Sequence, residues 1–247
     1  MDLAGKTVLV TGASSGLGLH FSKMLADNGA HVVLGARRID AIEEAAEAIR
    51  CAAGQARTIA LDVTDSASVQ QAFETYPDVS VVINNAGIAP SAAALDLEEA
   101  EFERVMTTNL KGVLLVAQGA ARQMRERGTG GSIVNIASIT GLRVAGQLAA
   151  YATSKAAVIQ LTKVLALEWA RYGIRVNALC PGYIETPLNA EFFATEAGKA
   201  LVNRIPQRRL GRPGELDGPL LLLASDAGSY ITGTTLVADG GHLISSL

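Results

Sequence analysis

Cysteine is scarce in this chain of 247 residues. The two present, Cys51 and Cys180, have no metal-ligand spacing and are too few for a disulfide framework. An excess of one charge is also missing. The formal net charge is −3, so there is no basic field to hold a polyanion such as DNA. No run approaches the roughly 18 apolar residues of a membrane span. The opening MDLAGKTVLV lacks the charged segment, apolar core and cleavage site of a secretion signal. Pro/Ser-rich linkers, compositional breaks and internal repeats are absent too. These absences imply one domain over 1–247 in a reducing cytoplasm. They leave nucleic acid, membranes and metal ions outside the expected partners.

What is present is apolar: hydrophobic residues make up 49%, enough for a packed core and against disorder. Short β-rich runs recur at 7–10, 31–35, 58–61, 79–83, 132–137, 174–179 and 234–238. They are almost continuously apolar, as strands covered on both faces are. Helix-like segments lie between them, including a long one over 102–128. Strand alternating with helix predicts an α/β chain with a seven-stranded parallel sheet and helices on both faces. Residues 187–206 interrupt the alternation and read as a helical excursion rather than a second domain.

The first strand runs into TGASSGLG, and a helix follows. Gly12, Gly16 and Gly18 give the spacing G-x-x-x-G-x-G, a variant of the dinucleotide fingerprint. Such a loop brings backbone N–H groups to a pyrophosphate at a helix N-terminus. It could also be a tight turn that binds nothing. The same residues satisfy G-x-S-x-G around Ser14, the hydrolase nucleophile elbow, with His242 as a late histidine. That elbow needs an oxyanion loop on an earlier strand, and only one strand precedes Ser14.

In YATSK, Tyr151 and Lys155 stand one helical turn apart. The pair can be an ordinary i,i+4 contact. It can also be acid–base machinery, because a cation lowers a phenol pKa. Spacing alone leaves both readings open.

Five stretches together resemble the classical short-chain dehydrogenase/reductase family over essentially the whole chain. They are TGASSGLG, the Asn84-Asn85-Ala86-Gly87 run, Asn109 in TNLKG, Ser138 thirteen residues before Tyr151, and PGYIETP at 181–187. The late segment ending in ADGG is similar as well. The resemblance implies a Rossmann-type doubly wound sheet in a single domain and an enzyme that moves a hydride to or from a nicotinamide. It implies Tyr151 as general acid and Lys155 as the cation that lowers its pKa and holds the nicotinamide ribose. Ser138 would position the substrate oxygen, and Asn109 would help hold a water in a proton relay to Lys155. Cofactor contacts would come from Gly12, Ser14, Ser15, Gly16, Leu17 and Gly18 in the loop. Asp62 and Val63 at the third strand's end, and Asn85, Ala86 and Gly87, would add to them. Pro181, Gly182, Ile184 and Thr186 would close over the nicotinamide, with Ile184 and Thr186 approaching its carboxamide. Asp62 could otherwise be a helix cap, and Asn84 reads as structural.

The substrate region is expected near 89–94, 141–145, Tyr183, Leu188, Phe192 and Phe193. It is mostly apolar, which suggests a hydrophobic carbonyl compound. The phenylalanines could equally be packing residues. Arg143 could meet an acidic substrate group or only solvent. The second strand ends HVVLGARR. An NAD-binding fold carries an acidic residue there; Ala36, Arg37 and Arg38 stand instead, and guanidinium groups suit a 2′-phosphate. NADP(H) is therefore expected over NAD(H). The expected activity is a ketone reductase or alcohol dehydrogenase, with a 3-oxoacyl-thioester reductase or a non-catalytic NADP-sensing regulator as alternatives. By resemblance the assembly is a homotetramer pairing the helices around 101–127 and 151–172.

Overall fold

The computed structural model describes residues 1–186 and 189–245. Seven strands form one parallel sheet: β1 (Thr7–Thr11), β2 (His31–Ala36), β3 (Gln55–Ala60), β4 (Val79–Asn84), β5 (Gly131–Ile136), β6 (Ile174–Pro181) and β7 (Thr235–Ala238), in the order β3-β2-β1-β4-β5-β6-β7. The helices are α1 (Gly16–Asp27), α2 (Ile39–Cys51), α3 (Ser66–Thr75), α4 (Glu99–Met106), α5 (Gly112–Arg127), α6 (Ala149–Trp169), α7 (Ala190–Ala194), α8 (Glu196–Val202) and α9 (Asp217–Ala224).

Strand periodicity divides the core into two layers. Val8, Val10, Val32, Leu34, Val81 and Ile83 meet α1, α2 and α9 through Phe21, Leu25, Ile42, Ile49 and Leu220. Leu9, Val33, Val82, Ile133 and Val176 point the other way, onto Val69, Phe73, Val116, Met124 and Leu165 of α3, α5 and α6. Side chains of this kind contribute roughly 1.5–3 kcal/mol each when fully buried. This two-sided burial is why the strands read as unbroken apolar runs.

The sequence expectation holds for all seven strands in kind, with corrections at the ends. β3 begins at Gln55 and not at 58, because QAR pairs with β2 although it is polar and partly exposed. It ends at Ala60, so Asp62 and Val63 lie just past the strand. The long helix expected over 102–128 is three pieces. α4 and α5 flank a π-helical stretch, Thr107–Lys111, where Gly112 N–H reaches back five residues to the Thr107 carbonyl. The excursion holds two short helices, α7 and α8; Pro187 and Leu188 lie outside the described residues.

The chain leaves β1 toward β2 and β3, then returns to β4 on the other side of β1. Strand order reverses there, which opens a crevice at the carboxyl ends of β1 and β4.

Candidate active site

The glycine loop occupies that crevice because three of its residues tolerate what others would not. Gly12 has φ +67°, and a Cβ on it would stand 2.9 Å from Ala86 Cα. Gly18 has an ordinary φ, but its Cβ would lie 2.3 Å from the Gly12 carbonyl oxygen. Gly16 has φ +55° and open space around it. The loop is tied to the Asn84–Gly87 run. Thr11 Oγ1 accepts from the Asn85 and Ala86 N–H groups, both at 3.0 Å, and Asn85 Nδ2 donates to the Thr11 carbonyl at 3.1 Å. In the sequence Thr11 is only a letter of the motif; its role as the brace exists only in three dimensions. Asn84 donates to Asn135 Oδ1 at 2.9 Å, linking β4 to β5 as expected of a structural residue.

A groove of about 470 Å³ runs along this loop. Gly12, Ser14, Ser15, Gly16 and Leu17 line it together with Asp62, Val63, Asn85, Ala86 and Gly87. Gly18 is buried behind the loop. Ala36, Arg37 and Arg38 close one end. Arg38 Nη2 donates to Ser14 Oγ at 3.0 Å and to Ser15 Oγ at 3.1 Å, while Arg37 is exposed. Leu61, Thr64, Ile88 and Thr108 also line the groove, without a sequence signal to mark them. Asp62 caps no helix: α3 is capped by Asp65, whose Oδ1 accepts from Ala67 N at 3.0 Å. Asp62 Oδ1 instead accepts from the Thr64 N–H and hydroxyl at 2.9 and 2.7 Å, bonds that lower its pKa. Open backbone at Gly16, N–H groups at the start of α1 and two arginines at one end fit a dinucleotide with an extra phosphate. A larger hollow, about 920 Å³, lies at the opposite ends of the strands. Its cations are occupied structurally: Arg175 donates to the Leu223 and Ser225 carbonyls, and Lys6 pairs with Asp226 at 3.1 Å.

The other end of the groove meets α6. Gly87 is the junction, since a Cβ there would stand 3.3 Å from Asn109 Oδ1 and 3.6 Å from Lys155 Nζ. Lys155 is buried and donates to the Ile136 carbonyl at 2.7 Å. Burial draws its pKa down to about 8. Its ammonium lies 5.6 Å from the centre of the Tyr151 ring. The Tyr151 ring is partly exposed, yet its phenol is enclosed enough that burial raises its pKa, opposed by the neighbouring Ser138 hydroxyl. The resemblance predicts a Lys155 charge that lowers the phenol pKa. In the polypeptide alone the net shift is upward, because desolvation outweighs the Ser138 hydrogen bond.

Ser138 follows β5 and starts a single turn, Ile139–Gly141. Its Oγ accepts from the Thr140 N–H at 3.1 Å and from the Thr140 hydroxyl at 2.9 Å. A serine hydroxyl has two acceptor positions and one donor. The remaining capacity is the O–H, whose hydrogen-bond neighbour is the Tyr151 phenol and which a substrate oxygen placed between the two would take over.

Asn109 sits in the π-helical stretch, fully buried. Its Oδ1 accepts from Ile88 N at 2.8 Å, and its Nδ2 donates to the Ile88 carbonyl at 2.8 Å and to Ser154 Oγ at 3.1 Å. Both amide protons are spent, so this side chain braces the 85–88 loop against α6.

Beyond β6, Pro181 is buried, and the Gly182 N–H donates to the Ala238 carbonyl at 2.9 Å. That bond ties the chain after β6 to the end of β7. The Ile184 side chain is buried in the core near Gly211, which leaves its backbone to approach a cofactor. Asn189 orders this loop: its Oδ1 accepts from Thr186 N at 3.0 Å and its Nδ2 donates to the Ile184 carbonyl at 2.8 Å. Tyr183, Phe193 and Phe192 form a chain of edge-on rings with centroids 5.7 and 5.1 Å apart. Arg143 is not free in solvent; it donates to the His242 carbonyl and to Ser245 Oγ. Ser14 follows β1 and His242 follows β7, four strand spacings apart in the sheet and so roughly 19 Å at about 4.8 Å each, too far for a serine–histidine pair, which removes the hydrolase reading.

A family model described as "Enoyl-(Acyl carrier protein) reductase" matches residues 12–242. A short-chain type dehydrogenase/reductase from Mycobacterium marinum has a crystal structure 42% identical to the chain, with TM-score 0.91 and coverage of 98% and 96% of the two chains. The chain belongs to the short-chain dehydrogenase/reductase family. This short-chain dehydrogenase/reductase is an oxidoreductase. It is also 38% identical to the L-rhamnose 1-dehydrogenase (NAD(P)(+)) of Azotobacter vinelandii, over 99% of each chain. A gluconate 5-dehydrogenase from Burkholderia cenocepacia, solved with NADP and tartrate, is 36% identical with TM-score 0.94, over 99% and 98% of the two chains. No helix among the described residues is long and apolar enough to cross a membrane, and no three metal-ligating side chains gather there.

Proposed function

We propose that the protein transfers a hydride between NADP(H) and the carbonyl or secondary alcohol of a small molecule with an apolar body. The observation that carries this reading is the meeting of Ser138, Tyr151 and Lys155 where the glycine-loop groove ends, at Gly87. When bound, the nicotinamide supplies or accepts the hydride. Tyr151 gives its phenolic proton to the carbonyl oxygen in reduction and takes it back in oxidation. Ser138 holds that oxygen with its O–H. Lys155, with a pKa drawn down to about 8, can carry the replacement proton or hold the ribose hydroxyls. Asn109 keeps the two walls of the site in register.

Cofactor choice rests on Ala36, Arg37 and Arg38. No carboxylate stands there to repel a 2′-phosphate, and Arg38 is already held over the loop by Ser14 and Ser15. The NADP in the Burkholderia relative supports the same preference. The ring chain of Tyr183, Phe193 and Phe192 supports an apolar substrate body. Exposed Leu167 and Val164 on α6, with Phe102 on α4, support burial against a second copy in a homotetramer. The free thiol of exposed Cys51 suits a reducing cytoplasm. The test is NADPH and NADH oxidation with a panel of ketones. NADPH-dependent reduction with higher efficiency than NADH is expected. Equal or better efficiency with NADH overturns the cofactor assignment, and no turnover of any ketone with NADPH bound overturns the reaction.

A further inference from the structure

Three successive strands end beside the proposed carbonyl site, and each contributes one residue to a single contact group. Arg143 comes from the loop after β5, Tyr183 from the loop after β6, and His242 from the turn after β7. Arg143 reaches across to the β7 side, donating to the His242 carbonyl and to Ser245 Oγ at 2.7 Å. The Tyr183 and His242 rings lie 5.4 Å apart next to that contact. The loop that carries Arg143 starts at Ser138, and its Gly141 packs so closely on the backbone of Lys155 and Ala156 that a Cβ would stand 2.8 Å from either. The loop that carries the guanidinium therefore has a rigid base against α6.

Two features of this group call for a ligand. His242 is 5% exposed, and its Nδ1 is buried with no hydrogen-bond partner. Such groups are rare in folded proteins, and each needs an explanation. The hydrogen bonds of Arg143 all run through Nη1, which leaves Nε and Nη2 without a protein acceptor among the described residues. The surroundings are cationic. Burial lowers the His242 pKa, and Arg143 and Arg204 add to that effect against Asp239. Asp239 forms no ion pair with Arg143 among the described residues; its oxygens accept from Gly241 N at 2.8 Å and Leu243 N at 2.6 Å.

We propose that Arg143 and His242 form an anion subsite that takes a carboxylate of the substrate, so the preferred substrates are oxo-carboxylates or hydroxy-carboxylates. This rests on the oxidoreductase reading and specifies its substrate class. The apolar rings of Tyr183 and Phe193 face the methylene stretch between carbonyl and carboxylate. Arg143 and His242 are then specificity-determining residues that read the far end of the substrate.

The experiment compares acids with their neutral isosteres. Acetoacetate, levulinate and 5-oxohexanoate are assayed against their methyl esters with saturating NADPH. At least one acid should exceed its ester in kcat/KM by about 10- to 150-fold, the range of one charge-assisted hydrogen bond. Arg143→Gln should bring that ratio to near unity mainly through KM, and His242→Leu should lower it. Arg143→Lys, which keeps the charge, should retain part of it. Calorimetric binding of levulinate to the NADP+-saturated protein gives a readout without turnover, and its affinity should fall in Arg143→Gln. Esters reduced as well as acids would overturn the subsite and leave the reductase reading standing. A parent ratio that persists in a folded Arg143→Gln protein would also overturn it. Failure to bind NADPH, read by fluorescence, would overturn the underlying reading instead.

Discussion

Lys155 Nζ donates to the carbonyl of Ile136 over 2.7 Å, and this bond fixes the ammonium at the end of β5 beside the Tyr151 ring. The strand thus sets where the charge of the next helix sits. Burial makes that charge expensive, which ties the proposed chemistry to stability.

One expectation follows for pH. A buried lysine with a pKa of about 8, against 10.5 for the free side chain, binds fewer protons folded than unfolded between those values. Stability therefore rises with pH across that window. Below it the full cost of the buried charge is present; above it the cost is gone. Relative to Lys155→Met, the cofactor-free parent should gain about 3 kcal/mol between pH 8 and 10.5. Urea denaturation of both proteins along that pH series checks it, and parallel curves would show that the ammonium carries no burial cost.

Tyr151→Phe removes the transferable proton and little volume. General acid catalysis contributes about 10²- to 10⁴-fold. Turnover should fall by that factor while the NADPH dissociation constant stays within about twofold, because the groove residues are untouched. Single-turnover kinetics and fluorescence titration measure the two quantities. Loss of less than about tenfold, well under that range, would remove the phenol from the mechanism.

The glycine loop allows a contrast. Gly18→Ala places a methyl 2.3 Å from a carbonyl oxygen of the backbone, which cannot move aside without opening the loop. Gly16→Ala meets open space and costs only its left-handed φ, about 1–2 kcal/mol. Gly18→Ala should be the more damaging to melting temperature. The reverse order would contradict the packing at the start of α1.

The arginines separate the cofactors. Loss of a charge-assisted contact costs roughly 1.5–3 kcal/mol, about 10- to 150-fold. Arg37→Ala should weaken NADPH on that scale and leave NADH nearly unchanged. Ala36→Asp should move the preference toward NADH by setting a carboxylate against the 2′-phosphate. Paired titrations with both cofactors decide it.

Much of this architecture is legible in the sequence because each strand is buried on both faces. Val8 to Val10, Val32 to Leu34 and Val81 to Ile83 stand out as apolar runs. β3 starts earlier than its apolar run because Gln55 and Arg57 lie on an edge strand, where polar side chains remain in water. The π-helical stretch around Asn109 is invisible for another reason. TTNLK has nothing in its composition to tell five-residue from four-residue hydrogen bonding. In the folded chain it goes with the bonds Asn109 makes to Ile88 and Ser154, partners that lie 21 and 45 residues away.

The sequence by itself determined the sheet, the glycine turn, the family and the residues gathered at the site, because local periodicity and fixed motif spacing are properties of neighbours along the chain. Tertiary structure alone decided that the Tyr151 phenol is raised by burial, that Asn109 is a brace, that Ile184 turns into the core, and that Arg143 is held by His242 and Ser245. Desolvation and hydrogen-bond partners depend on atoms brought together from as far as 102 residues away, and no local pattern encodes that meeting.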